Sequence, residues 1–173
     1  WYICWGCLVW VPCLYTLHTL FLVENVYNMG AFTAAFMGAA GVVSVYINWD
    51  ADMQKIIFRN SGGDCLIWGK PAEKIVATYQ TTEGETKQSL LLVSGWWGVS
   101  RHFHYLPELA AAFCWSFPTL MSGNILGFTY WIFLALLLTD RSIRDEGRCQ
   151  TKYGKYWTEY KKRVPYKIIP YVM

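Results

Sequence analysis

WYICWGCLVWVPCLYTLHTLFLV, residues 1–23, contains no formally charged residue and is long enough to cross a membrane as one helix. A transmembrane helix needs roughly 20 predominantly apolar residues to span the hydrocarbon core. A second apolar run follows at residues 30–48. Its small residues Ala34, Gly38 and Gly41 would allow another helix to pack closely against it. We therefore predict two membrane spans before the first polar segment.

The composition of the whole chain supports this interpretation. Hydrophobic residues make up 54% of the 173 residues and charged residues only 16%, whereas an ordinary soluble domain contains roughly 25% charged residues. An intrinsically disordered chain has the opposite composition, so that class is excluded. We predict an all-α fold, namely a polytopic transmembrane helical bundle with about four to five spans in this sequence and an amphipathic C-terminal helix.

Two further apolar regions supply the remaining predicted spans. The chain becomes apolar again at residues 90–100, is interrupted by RHFHY at 101–105, and resumes its apolar character at 106–120. The last clear span is at 125–139, and Asp140 ends it. An unpaired charge in hydrocarbon is costly, so the interrupting polar cluster must face a cavity or polar partner groups.

The polar segments are an insert at 49–89 and a tail at 140–173. Alternating residue types at 74–79 predict a short hairpin within the insert. The tail is amphipathic at 141–160, which predicts a helix that lies along the membrane surface. The tail is clearly basic, the insert carries five lysines and arginines mixed with acids, and no lysine or arginine precedes Lys55. The positive-inside rule therefore predicts one membrane domain over the whole chain, with a cytosolic insert and a cytosolic tail.

Basic and aromatic side chains near the predicted membrane edge are candidate binding residues. Lys55 and Arg59 are spaced i, i+4 and share one helix face, where two cations suit a phosphate group. Ordinary anchoring of both side chains at the interface is the alternative. Arg101, His102 and Tyr105 place a fixed cation, an imidazole and a phenol within little more than one helical turn. Such a cluster is denser than anchoring requires.

Asp145 is the carboxylate of most interest, because basic residues flank it on both sides. It is either a salt-bridged structural residue or an acid within a cavity. Trp96 and Trp97 would either stack against a planar ring or belong to an interfacial aromatic belt. No HExxH, GxSxG, P-loop or EF-hand pattern is present. The sequence therefore does not support a hydrolase or a nucleoside triphosphatase.

The six cysteines predict neither a metal site nor a disulfide framework. They are scattered singly apart from Cys4 and Cys7, which lie within an apolar run. No second CxxC motif and no histidine pair completes a zinc site. We also expect no nucleic-acid partner.

Three separated stretches resemble a single known family. They are QKIIFRNSGGDCLIWGKP at 54–71, LLVSGWWGVSRHFHYLPEL at 91–109 and RDEGRCQTKYGKYWTEYKKRVPYKIIP at 144–170. Together they resemble the sterol reductases, a family that includes delta-14 and delta-24(28) sterol reductases and the lamin B receptor. The resemblance implies a polytopic enzyme of the endoplasmic-reticulum membrane with a cytosolic C-terminus, of which this chain would be the C-terminal part. It also implies NADPH as the cofactor and a sterol as the substrate.

The resemblance also assigns individual residues. Carried over position by position, it implies an NADPH site composed of Lys55, Arg59, Leu92, Trp97, His104, Tyr105, Asp145, Cys149, Lys152, Tyr153 and Tyr160. An unactivated ring alkene accepts hydride poorly, so the family's reaction implies protonation of the alkene before hydride transfer. We expect Asp145, together with a tyrosine such as Tyr153, to supply or relay that proton.

Two features favour the delta-7 branch of the family, which reduces the delta-7 double bond of a delta-5,7 sterol. They are Phe103 and the CLIWG stretch at 65–69. Many relatives have Arg-His-Pro-Asn-Tyr where this chain has RHFHY at 101–105. The imidazole of His104 must therefore make the contacts that an amide makes in those relatives.

Three alternatives stay open. The first is delta-14 reduction by the same family. The second is a membrane isoprenylcysteine methyltransferase that uses S-adenosylmethionine, since those enzymes also carry an Arg-His-x-x-Tyr cluster near the C-terminus. The third is a non-catalytic sterol-binding scaffold. A sterol and membrane lipid are the expected partners, and association with other enzymes of the sterol pathway is also open.

Overall fold

The structure, a computed structural model, describes residues 16–81, 83–123 and 125–172. Its helices and strands follow in the order α1 (Leu17–Glu24), α2 (Ala31–Asn60), β1 (Leu66–Ile67), β2 (Lys70–Pro71), β3 (Lys74–Gln80), β4 (Thr86–Leu92), α3 (Trp96–Val99), α4 (Tyr105–Met121), α5 (Thr129–Tyr153) and α6 (Lys155–Arg163). A 3-10 turn, Ile125–Phe128, precedes α5. The chain is mostly helical, as predicted. The prediction of an all-α fold is wrong, because the second half of the insert forms two antiparallel hairpins, β1–β2 and β3–β4.

The chain divides into two compact units. The first contains residues 16–45 and Glu108–Leu138, and the second contains Tyr46–Pro107 and residues 139–172. Helices α2, α4 and α5 contribute residues to both units. All 15 lysines and arginines of the sequence lie in the second unit. The first unit is therefore the apolar one, in agreement with the charge-free runs of the sequence.

Two helical stretches have the length and composition of membrane spans. They are Ala31–Asn60 and Ile125–Tyr153. No residue in the most apolar part of Ala31–Asn60 is buried in protein, which is typical of a helix that faces lipid. The predicted span at 1–23 lies largely outside the described residues, and its described end forms α1. The number of four to five spans stays a prediction.

Aromatic side chains hold the first unit together. The imidazole of His18 on α1 is buried against the rings of Trp115 and Tyr130, whose centroids lie 5.4 and 5.9 Å away. The indole Nε1 of Trp131 on α5 donates a hydrogen bond to the carbonyl of Leu109 on α4 at 3.0 Å. These contacts join α1, α4 and the first part of α5.

Residues 90–100, the first part of the interrupted apolar region at 90–120, do not form a long helix. Strand β4 occupies the first part of this run and pairs antiparallel with β3. Leu92 packs in a core cluster with Phe58, whereas Leu91, which points to the opposite face, packs against a cluster that contains Trp157. Because protein covers both faces of the strand end, the strand carries a continuous apolar run like that of a span.

The hairpin predicted at 74–79 is confirmed. Strands β3 and β4 pair along their whole length, from Lys74 opposite Leu92 to Gln80 opposite Thr86. Helix α6 packs against β3. The hairpin and α6 therefore form the centre of the second unit.

Helix α2 is longer than its apolar run. It continues through residues 49–60, which the sequence predicts as the first part of the polar insert. Gln54 Nε2 donates to Asp50 Oδ2 at 2.9 Å, one turn earlier, and stabilises this polar part of the helix. Lys55 and Arg59 therefore lie on a helix, as their spacing predicts.

Helix α5 also continues beyond its predicted end. The carboxylate of Asp140 pairs with Arg144 one turn later at 2.7 Å, and the helix runs on to Tyr153. Gly154 then adopts φ 53°, a left-handed conformation that interrupts the helix. The amphipathic helix predicted at 141–160 is therefore two helices, the end of α5 and α6.

Candidate functional site

A cavity of about 420 Å³ lies within the second unit. Its walls come from the end of α2, strand β4, the segment 97–105, the second half of α5 and α6. Leu92 lines it from β4. All 11 residues that the resemblance assigns to a cofactor site line this cavity. Segments that are distant in sequence thus bring these residues to one place.

The α2 wall presents Lys55 and Arg59 to the cavity. The Lys55 ammonium lies 3.7 Å from the centroid of the Trp97 ring, which is a cation–π contact. The indole Nε1 of Trp97 donates to the carbonyl of Ala51 at 2.8 Å. One turn of α2 therefore fixes the ring against which Lys55 rests.

Asp50 and Gln54 fix the segment that carries Trp97. Gln54 Oε1 accepts a hydrogen bond from the backbone N–H of Trp96 at 3.1 Å. The indole Nε1 of Trp96 donates to Asp50 Oδ2 at 2.7 Å. Gly95 adopts φ 65°, and a Cβ at this position would collide with Gln54 Oε1. The Gly-Trp-Trp segment therefore fits against α2 because its first residue is glycine.

Two neutral imidazoles lie beside these rings. The His102 ring stacks on Tyr105 with centroids 5.2 Å apart, and the His104 ring lies 4.9 Å from Trp97. Burial lowers the pKa of His102 to about 4 and the pKa of His104 to about 3. His102 Nε2 lies 4.0 Å from Asp145 Oδ2, which is too far for a hydrogen bond. Both rings are therefore uncharged at neutral pH.

Arg101 lines the cavity, but its hydrogen bonds are structural. Its Nη1 donates to the carbonyls of Val164 and Pro165, both at 2.8 Å. Its backbone N–H donates to the carbonyl of Tyr166 at 3.0 Å, and its Nη2 lies 3.4 Å from Glu146 Oε1. The buried guanidinium therefore holds the residues after α6 against the segment that precedes α4.

One face of α5 supplies an acid and further cations. The lining residues of this face are Arg141, Asp145, Arg148, Cys149 and Lys152. Their spacing of three or four residues places them on one side of the helix. The Asp145 side chain is 48% exposed, and its Oδ2 lies 4.0 Å from the Cys149 sulfur. This carboxylate is therefore accessible to a ligand in the cavity.

The two tyrosines of α5 and α6 make different contacts. The half-buried Tyr153 donates its hydroxyl to Ser89 Oγ at 3.4 Å, and the Lys152 ammonium lies 5.0 Å from its ring centroid. The buried Tyr160 donates its hydroxyl to the carbonyl of Trp97 at 3.4 Å. Burial raises the pKa of Tyr160. Tyr153 is thus the more accessible hydroxyl, while Tyr160 supports the backbone of Trp97.

The charge of the cavity wall is strongly positive. Among the described residues that line it, six are lysine or arginine and one is acidic. The rings of Trp97, Tyr105 and Tyr153 are also part of the wall. Cations suit the phosphates of a ligand, and aromatic faces suit a planar ring. The described part of the chain contains no group of three or more His, Cys, Asp or Glu residues placed to hold a metal ion.

The cavity wall also contains residues that the resemblance does not assign. They are Phe58, Ser89, Leu90, Leu91, Arg101, His102, Arg141, Arg148 and Trp157. The polar cluster in the sequence already indicates Arg101 and His102, and the helical spacing of Arg141 and Arg148 around Asp145 is a usable signal. Strand residues such as Ser89 give no signal, because their position depends on pairing with a distant strand.

Proteins named as sterol reductases are similar to this chain over nearly its whole length. A 7-dehydrocholesterol reductase of Arabidopsis thaliana is 54% identical over 98% of the chain, and one of Xenopus laevis is 40% identical over 98%. A Delta(14)-sterol reductase of Methylotuvimicrobium alcaliphilum is 36% identical over 98% of the chain. The chain covers 39%, 36% and 38% of these three proteins, respectively.

The family match has the same extent. The family described as ergosterol biosynthesis ERG4/ERG24 matches residues 1–173, which include the three stretches quoted from the sequence. This match and the identities above confirm the resemblance to sterol reductases. The chain belongs to the ergosterol biosynthesis ERG4/ERG24 family.

Proposed function

We propose that this chain is the cofactor-binding, C-terminal part of a membrane sterol reductase that uses NADPH to reduce the delta-7 double bond of a delta-5,7 sterol. The observation that carries the proposal is the cationic cavity of the second unit, which gathers 11 residues from three distant stretches. Two relatives named 7-dehydrocholesterol reductase support the choice of the double bond. The complete protein would lie in the endoplasmic-reticulum membrane with a cytosolic C-terminus.

The residues of the cavity fit NADPH by their chemistry. Lys55 and Arg59 offer two cations for a phosphate, and a guanidinium binds phosphate through two parallel hydrogen bonds. His102 Nε2 and His104 Nδ1 are buried and have no hydrogen-bond partner among the described residues. Buried polar atoms normally have a partner. Their position at the cavity wall therefore favours a polar ligand.

The chain's own residues bind the cofactor and supply the proton. When bound, NADPH provides the hydride that completes reduction of the alkene. We assign protonation of the alkene to Asp145, because it is the one carboxylate among the described lining residues. Its proton would move to one alkene carbon, and the carboxylate left behind is flanked by Arg141 and Arg148 on the same helix face. Tyr153, on the same wall, is assigned to relay of the proton.

Delta-14 reduction is the second candidate function, because a relative of 36% identity is named a Delta(14)-sterol reductase. The features that favour the delta-7 branch in the sequence do not decide the question in the structure. Phe103 is buried, stacks on Trp96 with ring centroids 4.5 Å apart, and is not part of the cavity wall. The CLIWG stretch at 65–69 forms much of the β1–β2 hairpin. The delta-7 proposal therefore depends more on the relatives than on these residues.

The experiment that tests the proposal is product analysis with the complete protein. The protein is expressed in a yeast strain that lacks its own late sterol reductases. Microsomes receive NADPH together with a delta-5,7 sterol or a delta-14 sterol, and products are identified by gas chromatography and mass spectrometry. We expect loss of the delta-7 double bond with NADPH and a much slower reaction with NADH, which lacks the additional phosphate.

Each alternative has its own outcome in this experiment. Loss of the delta-14 double bond alone would identify the sister activity with the same cofactor cavity. Turnover of neither sterol, with sterol still bound to the purified protein, would identify a non-catalytic scaffold. The family match gives no support to the methyltransferase, and methyl transfer from S-adenosylmethionine would contradict the proposal outright.

A further inference from the structure

The tip of the β1–β2 hairpin carries exposed apolar side chains. Leu66 and Trp68 are 69% and 59% exposed, and Lys70 beside them is also exposed. Trp68 adopts φ 51°. This left-handed conformation costs a residue other than glycine roughly 1–2 kcal/mol. The chain therefore holds a large indole at the tip in spite of backbone strain, which is a frequent property of functional positions.

The tip of the β3–β4 hairpin has the opposite character. Residues 81–85 contain Glu83 and Glu85 and no hydrophobic side chain. Both glutamates are exposed. Two acids suit water, and the negative potential of a membrane surface repels them. The second unit thus has one apolar hairpin tip and one acidic tip.

The apolar tip lies at the level where α2 ceases to be apolar. Asp50 is the first charged residue of α2, which has the length and composition of a membrane span. The indole Nε1 of Trp96 donates to Asp50 Oδ2 at 2.7 Å, and the Trp68 ring contacts the Trp96 ring edge-on at 4.9 Å. Two further exposed rings of α2, Tyr46 and Trp49, lie within one turn of Asp50.

We propose that the β1–β2 tip inserts into the interface of the phospholipid bilayer that α2 enters. Tryptophan suits this interface because its ring is apolar and its N–H is polar, and aromatic residues mark the ends of membrane spans. Lys70 can keep its stem in the apolar layer while its ammonium reaches a lipid phosphate. The contact through Trp96 links this lipid surface to the segment that carries Trp97. The inference is independent of the proposed reaction.

Site-specific fluorescence tests the insertion directly. The complete protein is reconstituted into phosphatidylcholine vesicles with or without phosphatidylcholine that is spin-labelled near the top of one acyl chain. A fluorescent amino acid is incorporated at position 68 in one sample and at position 83, on the acidic tip, in the other. We expect quenching at 68 to exceed that at 83 roughly threefold or more, because interfacial segments reach about 5–10 Å into the boundary layer. Equal quenching at the two positions overturns the proposal.

A second measurement needs no label at position 68. Phosphatidylcholine with a photoreactive group near its headgroup is crosslinked to the vesicle-bound protein, and modified peptides are identified by mass spectrometry. We expect lipid adducts on residues 66–71 and severalfold fewer on 81–86. Trp68→Gly suits φ 51° and should fold, yet it should reduce the adducts on 66–71 severalfold, whereas Glu83→Gly should not. Adducts that are absent from 66–71, or unchanged in Trp68→Gly, contradict insertion.

Discussion

The two compact units hold their polar groups in different ways. In the described part of the first unit, Glu24 and Glu108 are the charged residues, and hydroxyls such as that of Thr119 donate to a carbonyl three residues back in their own helix. In the second unit, polar side chains reach across the sequence. Arg101 donates to the carbonyl of Val164, which is 63 residues away. Apart from the bond of Trp131 to Leu109, the hydrogen bonds of the first unit are thus mainly local, whereas the second unit adds several long-range bonds to its local pairs.

This difference follows from the surroundings that suit each unit, which are lipid for the apolar first unit and water for the charged second unit. A helix in lipid must satisfy its backbone groups internally, so local hydrogen bonds are sufficient for the first unit. The second unit instead joins α2, the hairpins and the residues after α6 through individual side chains. We therefore expect substitutions of polar groups to have large effects in the second unit and small effects in the first.

Asp145→Asn should have the largest effect of these substitutions. The amide retains the shape of the side chain but cannot supply the proton, so we expect kcat to fall about 10³-fold, within the range of general acid catalysis. NADPH binding should remain measurable. Steady-state kinetics and cofactor binding on the complete protein measure both quantities. Asp140→Asn, five residues earlier on α5 and outside the cavity wall, is the control. Equal activity of the two variants would remove Asp145 from the mechanism.

Arg101→Met should destabilise the protein by about 3 kcal/mol, because hydrogen bonds to a charged group contribute about 1.5–3 kcal/mol. The carbonyls of Val164 and Pro165 would lose their donor. The control is Arg163→Met, whose guanidinium pairs with the exposed Glu159 on α6 at 3.0 Å and should contribute less than about 1 kcal/mol. Denaturant unfolding in detergent measures the two losses. Similar losses would mean that long-range bonds matter no more than local pairs.

Acidification should destabilise the second unit through His102 and His104. Their pKa values in the folded protein are about 4 and about 3, below the ordinary value of 6.5. As pH falls, the unfolded chain therefore binds protons first, and stability that is present above pH 6.5 is lost progressively between pH 6.5 and pH 3. At about pH 5, each imidazole accounts for a loss of about 2 kcal/mol.

His104→Asn separates the two imidazoles. The amide does not titrate, so the loss of stability between about pH 7.5 and about pH 5 should decrease by about half. Asparagine is smaller than histidine and polar, and position 104 lies on the cavity wall, so we expect the fold to be retained. Unfolding midpoints at the two pH values measure the change. A pH dependence identical to that of the native chain would assign the titration to other groups.

Lys55→Met should raise the KM for NADPH about tenfold, which corresponds to about 1.4 kcal/mol for one lost charged contact. The KM for the sterol should not change. Lys87→Met is the control, because Lys87 is an exposed residue of β4 that pairs with Glu85 at 3.0 Å. Initial-rate measurements with each substrate varied in turn give the two constants. A rise in the KM for the sterol alone would contradict a contact between Lys55 and NADPH.

Ser116→Ala should have the smallest effect, within about 0.5 kcal/mol. The Ser116 hydroxyl is buried in the first unit and has no hydrogen-bond partner among the described residues. Its removal therefore breaks no hydrogen bond among the described residues, and alanine favours the helix. The free energy of unfolding measures the change. A loss as large as that of Arg101→Met would break the contrast between the units.

Sequence patterns predict the structural features that depend on residues close together in the chain. The charge-free run at 30–48 lies in α2, and the i, i+4 spacing of Lys55 and Arg59 puts both on the wall of one cavity. The alternation at 74–79 lies in β3. The resemblance contributes what spacing alone cannot, since it names residues of α2, β4, α5 and α6 that line the same cavity. Their roles toward NADPH stay predictions.

Features that depend on distant residues are the ones that patterns miss. Residues 90–100 match the composition of a span because protein covers both faces of β4, and only the pairing with β3 reveals a strand. The charge of Asp140 predicts the end of a helix, but its ion pair with Arg144 lies within the longer α5. The structural role of Arg101 depends on carbonyls at positions 164 and 165, whose side chains carry no information about it.

Gly95 should tolerate few substitutions, although it has no side chain. Its φ of 65° disfavours every other residue, and the collision of a Cβ with Gln54 Oε1 would displace the bond that fixes Trp96. A single missense change in this codon therefore disturbs Trp97, a cavity residue two positions away. Purifying selection should act on Gly95 as strongly as on a residue that touches the ligand, although glycine has no side chain with which to bind one.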